Sequence, residues 1–216
     1  MPMPLVINEI FYSIQGESVY AGCPCIFIRL TGCNLRCTYC DTRYAYESGT
    51  DMSQQEIAAE LVQFPCRLVE ITGGEPLMQK ETPRLVYYLL EKGYRVLVET
   101  NGSFNTDCLD PRCIKIVDIK CPGSGEKDAC DLSNLERLSA DDQVKFVLCD
   151  RQDYDYAKDV RKVIPPITPA AHILFSPAAG RLDPATLSRW ILQDGLNVRL
   201  HLQLHKILWP NVERGV

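Results

Sequence analysis

Short apolar runs alternate with amphipathic segments along most of the chain. Runs rich in β-branched and aromatic residues predict strands at residues 26–30, 68–71, 95–98, 114–117, 144–148, 173–175 and 198–202. Many of the segments between them show a helical period. Helix starts are indicated by a capping box at Ser53–Glu56 and by Asp183–Pro184. The alternation predicts a mostly parallel α/β sheet in one domain over residues 1–216.

Two further helices are predicted from apolar spacing, one on Leu85, Val86, Leu89 and Leu90, the other on Ala157, Val160 and Val163. Polar segments, most of them containing glycine, follow the predicted strands at residues 31–33, 72–76, 99–102, 120–125 and 176–177. Ligands of parallel α/β folds bind at the carboxyl ends of the strands, so we expect a site there. About six or seven strands are too few for a complete eight-unit barrel. We therefore predict a partial, TIM-like barrel, with an open doubly wound sheet as the alternative.

The charge balance limits the classes of partner. The chain has 28 acidic residues against 23 Lys and Arg, a net charge of −5, which disfavours nucleic-acid binding. No stretch approaches the roughly 20 apolar residues of a membrane helix. The N-terminus lacks the basic and apolar regions of a signal peptide. We expect a cytoplasmic protein with neither a nucleic-acid nor a membrane partner.

Cysteine is unusually frequent, with 11 in 216 residues, and the odd number does not suit a secreted disulfide scaffold. Cys33, Cys37 and Cys40 form a C-x3-C-x2-C run after a predicted strand. Three thiolates so close together favour an iron–sulfur cube with one iron open to an exogenous ligand. Zinc and unliganded thiols are the alternatives, although zinc would usually need a fourth Cys or His nearby.

The cysteine run resembles that of the radical S-adenosylmethionine (SAM) superfamily, with Tyr39 before its last cysteine and a Gly73-Gly74-Glu75-Pro76 loop after the next strand. Closer similarity to 7-carboxy-7-deazaguanine synthases lies in residues 14–17, 29–33, 39–42, 72–76, 99–102 and 203–206. That family converts 6-carboxy-5,6,7,8-tetrahydropterin to 7-carboxy-7-deazaguanine with loss of ammonia, a step toward queuosine and other 7-deazapurines. The resemblance implies that SAM is cleaved to a 5′-deoxyadenosyl radical, which takes hydrogen from C6, and is then regenerated.

The resemblance also implies roles for matching positions. Cys33, Cys37 and Cys40 would hold a 4Fe–4S cluster, and Thr42 would bind Mg²⁺. Substrate contacts are expected from Ile14, Gln15, Gly16, Glu17, Arg29, Thr72, Glu99 and His205. SAM contacts are expected from Tyr39, Asp41, Gly74, Cys121, Pro122, Gly123, Ser176, Pro177, Ala178 and Ala179. No catalytic side chain is assigned beyond these groups, and Glu75 is expected to bond backbone amides of its own loop.

The resemblance implies a small-molecule pterin substrate and a homodimer, and we expect flavodoxin or ferredoxin as the electron donor. Two other functions stay open. One is an activase that installs a glycyl radical on a large partner, which is not expected to carry the Gln15/Glu17 segment or the 203–206 run. The other is a noncatalytic iron–sulfur or zinc protein. The role of residues after Pro210 is also open, because some family members end at that position.

Overall fold

One open sheet organises the chain. The computed structural model describes residues 3–216, and within them nine strands pair in the order β3-β1-β2-β4-β5-β6-β7-β8-β9. Their bounds are β1 (Leu5–Ile14), β2 (Pro24–Leu30), β3 (Thr50–Met52), β4 (Leu68–Gly73), β5 (Arg95–Thr100), β6 (Ile114–Ile119), β7 (Gln143–Leu148), β8 (Ile173–Pro177) and β9 (Arg199–Leu200). From β2 through β4 to β9 the pairs are parallel, whereas β1 is antiparallel to β2 and β3. The predicted partial barrel of mostly parallel strands is confirmed.

Helices cover one face of this sheet. They are α1 (Gln54–Leu61), α2 (Thr82–Glu91), α3 (Arg151–Arg161) and α4 (Pro184–Gln193), whereas a short α5 (Leu204–Leu208) lies in the C-terminal segment and is not part of this layer. The Ser53–Glu56 capping box is present before α1, and the Asp183 side chain accepts from backbone amides at the start of α4. The prediction was wrong at Val163, which lies past the end of α3 and is 63% exposed. Pro165 and Pro166 follow closely, and the residue before a proline disfavours helix. None of the helices in residues 3–216 is long and apolar enough to cross a membrane.

The strand prediction missed β1 and β3 and overextended β9. Asn8 and Glu9 interrupt the apolar alternation of β1, where the pairing with β2 shifts register between Ile7 and Glu9. β9 is paired on one side only and keeps two residues of the expected run 198–202. β1 and β2 are joined by a loop at residues 15–23. The two-residue turn sequence that indicates a tight hairpin is therefore absent between them. One domain over residues 1–216 stays a prediction.

The two faces of the sheet differ in chemistry because successive strand residues point to opposite sides. On the outer face, residues such as Val69, Val98 and Phe146 form two apolar cores with the helices. The deep inner face is also apolar, around Leu97 and Ile116. Nearer the carboxyl ends, inner positions carry the polar side chains Arg29, Glu70, Thr72, Glu99, Asp118 and Lys145, all of which line one cavity. The alternation therefore places charge inside the barrel and apolar packing outside it.

Candidate active site

A cavity of about 960 Å³ lies at the carboxyl ends of the strands, as expected for a parallel sheet. The cysteine loop forms one side of it, with Cys33, Cys37, Cys40 and Thr42 in the wall. The inner strand face and the C-terminal segment form the rest. All the residues predicted to contact substrate line it: Ile14, Gln15, Gly16, Glu17, Arg29, Thr72, Glu99 and His205. The structure thus brings the thiols and these side chains into one space.

The cysteine loop is held by segments that follow two other strands. Thr38 N donates to Ser124 O at 3.0 Å, and Thr38 Oγ1 donates to Gly123 O at 2.7 Å. Arg181, from the loop after β8, donates to Thr38 O at 2.9 Å and to Thr38 Oγ1 at the same distance. The loop therefore has a defined position although it contains no long regular element.

Two glycines let the loop after β4 approach the cysteine loop. Gly73 has a φ of 151°, and a Cβ there would lie 2.4 Å from the Leu30 carbonyl oxygen. A Cβ on Gly74 would lie 2.2 Å from Gly32 O and 2.6 Å from the Cys33 Cβ. These distances are shorter than van der Waals contact, so neither position accommodates a side chain without displacing its neighbour.

Glu75 ties the same loop to the end of β5. Its fully buried carboxylate accepts from Leu77 N at 2.9 Å, from Thr100 Oγ1 at 2.8 Å and from Asn101 N at 2.6 Å. Burial raises the pKa of Glu75, although the three donors oppose the shift. With both oxygens engaged, this side chain has a structural role, as predicted.

A group of carboxylates surrounds one lysine on the opposite side of the cavity. Lys145 Nζ lies 2.5 Å from Glu17 Oε2 and 2.5 Å from Glu99 Oε1. Gln203 Nε2 donates to Glu17 Oε1 at 2.9 Å. Gln15 connects Glu70 to this group. Its Nε2 lies 2.5 Å from Glu70 Oε2, and its Oε1 accepts a hydrogen bond from Glu17 N. The loop after β1 and the inner face of β4, β5 and β7 are thus joined by one polar network.

The three glutamates of this network differ in pKa. Burial raises the pKa of Glu70, and the nearby Glu99 and Glu17 raise it further. Burial also raises the pKa of Glu99, more than Lys145 lowers it. At Glu17 burial is outweighed by Lys145 and then by His201 and His205, so the pKa of Glu17 is lowered. Glu17 is therefore ionised at neutral pH, and the two carboxylates raise the pKa of Lys145 against the effect of its burial.

Arg29 faces the cavity rather than solvent. Its Nε lies 2.7 Å from Glu9 Oε1, and Tyr44 Oη donates to the same oxygen at 2.8 Å. The guanidinium carbon stands 5.6 Å from the Phe11 ring centroid and 5.8 Å from that of Tyr44. This cage fixes a cation at the wall, which suits recognition of an anionic group.

His205 closes the cavity from the C-terminal segment. Leu204 N donates to Gly16 O at 2.9 Å, and a Cβ on Gly16 would lie 2.4 Å from His205 Nδ1. Gly16 is therefore required for the close approach of α5. Burial lowers the pKa of His205, which favours the neutral imidazole.

Comparison with known proteins identifies the family. The Radical SAM superfamily model matches residues 27–118. A curated 7-carboxy-7-deazaguanine synthase of Koribacter versatilis is 43% identical over 97% of this chain and 99% of its own length. That of Chlorobaculum tepidum is 44% identical over 99% and 98%. The chain belongs to the 7-carboxy-7-deazaguanine synthase family. The crystal structure of QueE from Escherichia coli shares the fold, with a TM-score of 0.76 over 93% of this chain and 94% of that one, at 24% identity.

Membership of the 7-carboxy-7-deazaguanine synthases makes the chain a radical SAM lyase with a 4Fe–4S cluster, SAM and Mg²⁺ as cofactors, and these predictions are confirmed. The glycyl-radical activase and the noncatalytic metal protein are set aside by the same finding. The residues that would hold each cofactor are a separate question, which depends on whether the cavity wall suits them.

The cavity wall suits a cluster. No three His, Cys, Asp or Glu side chains within residues 3–216 converge as ligands of one metal ion. A cube distributes its cysteines over separate irons, so it accepts thiols that are more widely spaced. Burial raises the pKa of Cys37 to about 11 and also raises that of Cys33. Cluster binding must remove these protons.

Five of the predicted SAM contacts line the cavity: Tyr39, Asp41, Gly74, Ala178 and Ala179. The Tyr39 hydroxyl is buried without a hydrogen-bond partner among the described residues, which suits a ligand with a polar group at this point. Thr42 Oγ1 lies 3.0 Å from Asp41 Oδ1, and Lys206 Nζ lies 2.6 Å from Asp41 Oδ2. A carboxylate thus adjoins the hydroxyl predicted to bind Mg²⁺, which is an oxygen-rich setting appropriate for that ion.

The remaining predicted SAM contacts do not line the cavity: Cys121, Pro122, Gly123, Ser176 and Pro177. Cys121 is fully buried in the outer core. Gly123 accepts from Thr38 and donates to Asp153 Oδ1 at 2.7 Å, so it supports the cysteine loop. Ser176 and Pro177 end β8 and are buried. Their part in SAM binding, like every residue role above, stays a prediction.

Four charged residues on or directly after the strands line the cavity without having been assigned from the sequence: Glu70, Asp118, Lys120 and Lys145. Lys120 Nζ lies 2.7 Å from Asp118 Oδ2, while Asp118 Oδ1 is buried without a partner among the described residues. A signal was available, because each charge lies in or directly after an apolar strand. Lys and acidic residues are almost never fully buried unless paired, so charges in such strands indicate a polar interior.

Proposed function

We propose that this chain converts 6-carboxy-5,6,7,8-tetrahydropterin to 7-carboxy-7-deazaguanine with loss of ammonia. The observation that carries the proposal is the single cavity shared by the cysteine run and all the side chains expected to contact the pterin. Identity of 43% over 97% of the chain to a 7-carboxy-7-deazaguanine synthase supports the same conclusion.

The polar side chains are complementary to such a substrate. Ionised Glu17 and the amide of Gln15 offer acceptors to the guanidine-like edge of the pterin. Arg29 offers a caged cation to its carboxylate, and Thr72 offers a hydroxyl. Neutral His205 can donate or accept one hydrogen bond. Bonds between charged partners are stronger and more directional than neutral ones, so this set would fix the orientation of the ring.

The cofactors would occupy the opposite wall. Cys33, Cys37 and Cys40 would hold the cluster, Tyr39, Asp41 and Gly74 would contact SAM, and Thr42 would bind Mg²⁺. When bound, these groups supply the radical chemistry that begins at C6 of the pterin. The chain's own task is to hold that carbon toward the cysteine loop and to keep water away from it. Preorganised contacts of this kind account for much of the rate advantage in a reaction between bound partners.

Four finer features are carried over from the sequence as proposals. They are a homodimer, flavodoxin or ferredoxin as electron donor, a cytoplasmic location, and a single domain over residues 1–216. None of them affects the assignment of the cavity.

The decisive experiment is anaerobic turnover. The reconstituted protein is given SAM, Mg²⁺, a low-potential reductant and 6-carboxytetrahydropterin, and the products are followed by mass spectrometry. We expect 7-carboxy-7-deazaguanine over many turnovers without matching 5′-deoxyadenosine. Cys37→Ser should abolish it with loss of iron, whereas Cys66→Ser, outside the cavity, should retain both. Cleavage of SAM with the pterin left unchanged would refute the proposed substrate.

A further inference from the structure

A lysine at the centre of the carboxylate group has no role in the family resemblance. Lys145 lies on the inner face of β7, between Val144 and Phe146, which both point into the outer core. Its side chain is 6% exposed. Burying an ammonium without partners is costly, and its two partners are both residues expected to contact the pterin.

We propose that Lys145 is a positioning residue that acts through Glu17 and Glu99, holding their carboxylates ionised and correctly oriented for the pterin. The inference rests on the proposed function and deepens it. The two contacts of 2.5 Å join a loop after β1 to the end of β5, so one side chain sets the separation of two acceptors. Within residues 3–216, no second Lys or Arg pairs with either carboxylate.

The charges around Glu17 come from every side of the cavity. Glu70 on β4, Glu99 on β5 and Asp41 in the cysteine loop are its acidic neighbours, and Asp41 is already paired with Lys206. Asp118 on β6 acts on Glu99 and Lys145 and is paired with Lys120. His201 and His205 approach from the C-terminal segment. Burial lowers the pKa of both histidines, to about 4 for His201, so neither gains a proton above pH 7. Without Lys145, burial and the acidic neighbours would favour protonation of Glu17 and Glu99.

A matched control exists on the other face of the sheet. Lys115 on β6 is also buried in a strand and also bonds a carboxylate, with its Nζ 3.1 Å from Asp142 Oδ2 and 3.1 Å from Arg137 O. It does not line the cavity. Lys115→Gln therefore reports the cost of removing a buried strand lysine without touching the site.

The test compares Lys145→Gln, Lys115→Gln and wild type between pH 7 and 9. Each protein is reconstituted with its cluster and assayed with SAM and Mg²⁺. We expect Lys145→Gln to raise the KM for the pterin about 10- to 100-fold at pH 7, the range for a hydrogen bond to a charged group, with a smaller change in kcat. The KM ratio to wild type should shrink as the pH rises and the carboxylates ionise. Reductive SAM cleavage without pterin should be unchanged. Lys115→Gln should keep a KM ratio near one throughout.

A double variant isolates the route of action. If Lys145 acts through Glu17 and Glu99, Glu17→Gln combined with Lys145→Gln should raise KM by less than the product of the two single-variant ratios, because the part of the Lys145 effect that passes through Glu17 is already lost and only the part that passes through Glu99 remains. The double variant also leaves one buried carboxylate unpaired instead of two, so it serves if Lys145→Gln does not fold.

Four outcomes overturn the inference. Additive effects in the double variant would show that Lys145 acts independently of Glu17. A pH-independent KM ratio for Lys145→Gln, or a loss equal to that of Lys115→Gln, would indicate a structural role only. Wild-type protein that neither binds nor converts the pterin would overturn the proposed function, and this inference with it.

Discussion

Glu75 offers a direct test of how the loop after β4 is held. The perturbation is Glu75→Ala, which removes a fully buried acceptor of three hydrogen bonds, from Leu77 N, Thr100 Oγ1 and Asn101 N. Two backbone N–H groups would then be buried without partners. At about 1–1.5 kcal/mol for each bond, we expect the free energy of unfolding to fall by about 3–5 kcal/mol. For a chain of this length that corresponds to a fall in Tm on the order of 10 °C.

Glu75→Gln refines the same prediction. The amide keeps one oxygen for two of the donors, but its NH₂ group must face the third. We therefore expect a smaller loss, about 1–3 kcal/mol, the cost of one unsatisfied buried group. Tm is measured by circular dichroism at fixed pH. Glu60→Ala, on the exposed side of α1, is the control and should shift stability by no more than about 0.5 kcal/mol. The reasoning is refuted if Glu75→Ala behaves like Glu60→Ala, or if the Gln and Ala variants lose the same stability.

Two further predictions concern the cavity wall, and a third concerns the buried His201. Gly74→Ala should displace the cysteine loop, because its Cβ would lie 2.6 Å from the Cys33 Cβ. The content of bound iron should therefore fall while the far-ultraviolet circular dichroism spectrum is retained. Full iron content would contradict this prediction. Tyr39→Phe should leave Tm unchanged, because the Tyr39 hydroxyl has no hydrogen-bond partner among the described residues. The same change should weaken SAM binding in equilibrium titrations. An unchanged affinity for SAM would show that Tyr39 is not part of the SAM site. Burial lowers the pKa of His201 from 6.5 to about 4, so the folded state binds fewer protons than the unfolded state between these values. Stability should therefore fall by about 3 kcal/mol as the pH drops from 6.5 to 4, and His201→Leu should flatten that part of the Tm profile, whereas an equally steep profile would contradict it.

The parts of the fold that were predictable depend on local pattern. Strands at residues 68–71 and 144–148 are continuous apolar runs, and the Ser53–Glu56 box begins α1 where expected. β1 was missed because its polar residues obscure the alternation: Glu9 does not line the cavity itself, but it bonds Arg29 and Tyr44, which do. A strand whose polar residues serve a site does not show the pattern of a strand with a solvated face.

The candidate site divides in a similar way. The cysteine run and the loop at residues 73–76 could be recognised because their chemistry lies within a few neighbouring residues. Lys145 could not be assigned to them, since its partner Glu17 is 128 positions away along the chain and no local spacing records that pair. The segment at residues 121–123 follows a strand and was expected to contact SAM from the family resemblance, yet it does not line the cavity, and the Gly123 carbonyl accepts from Thr38.

The sequence alone determined which chemical groups the site contains: three thiols, a glycine-rich loop and several carboxylates. It also indicated that most of them lie at the carboxyl ends of the strands, because they follow apolar runs. Tertiary structure decided which of them share a space and with what charge. Pleating turned alternate residues of β4 to β7 inward. At Glu17 the Lys145 ammonium outweighs burial and lowers the pKa, whereas burial and the neighbouring carboxylates raise the pKa of Glu70. Proton affinity depends on the desolvation and on the charges within a few ångströms, and both are properties of the folded chain.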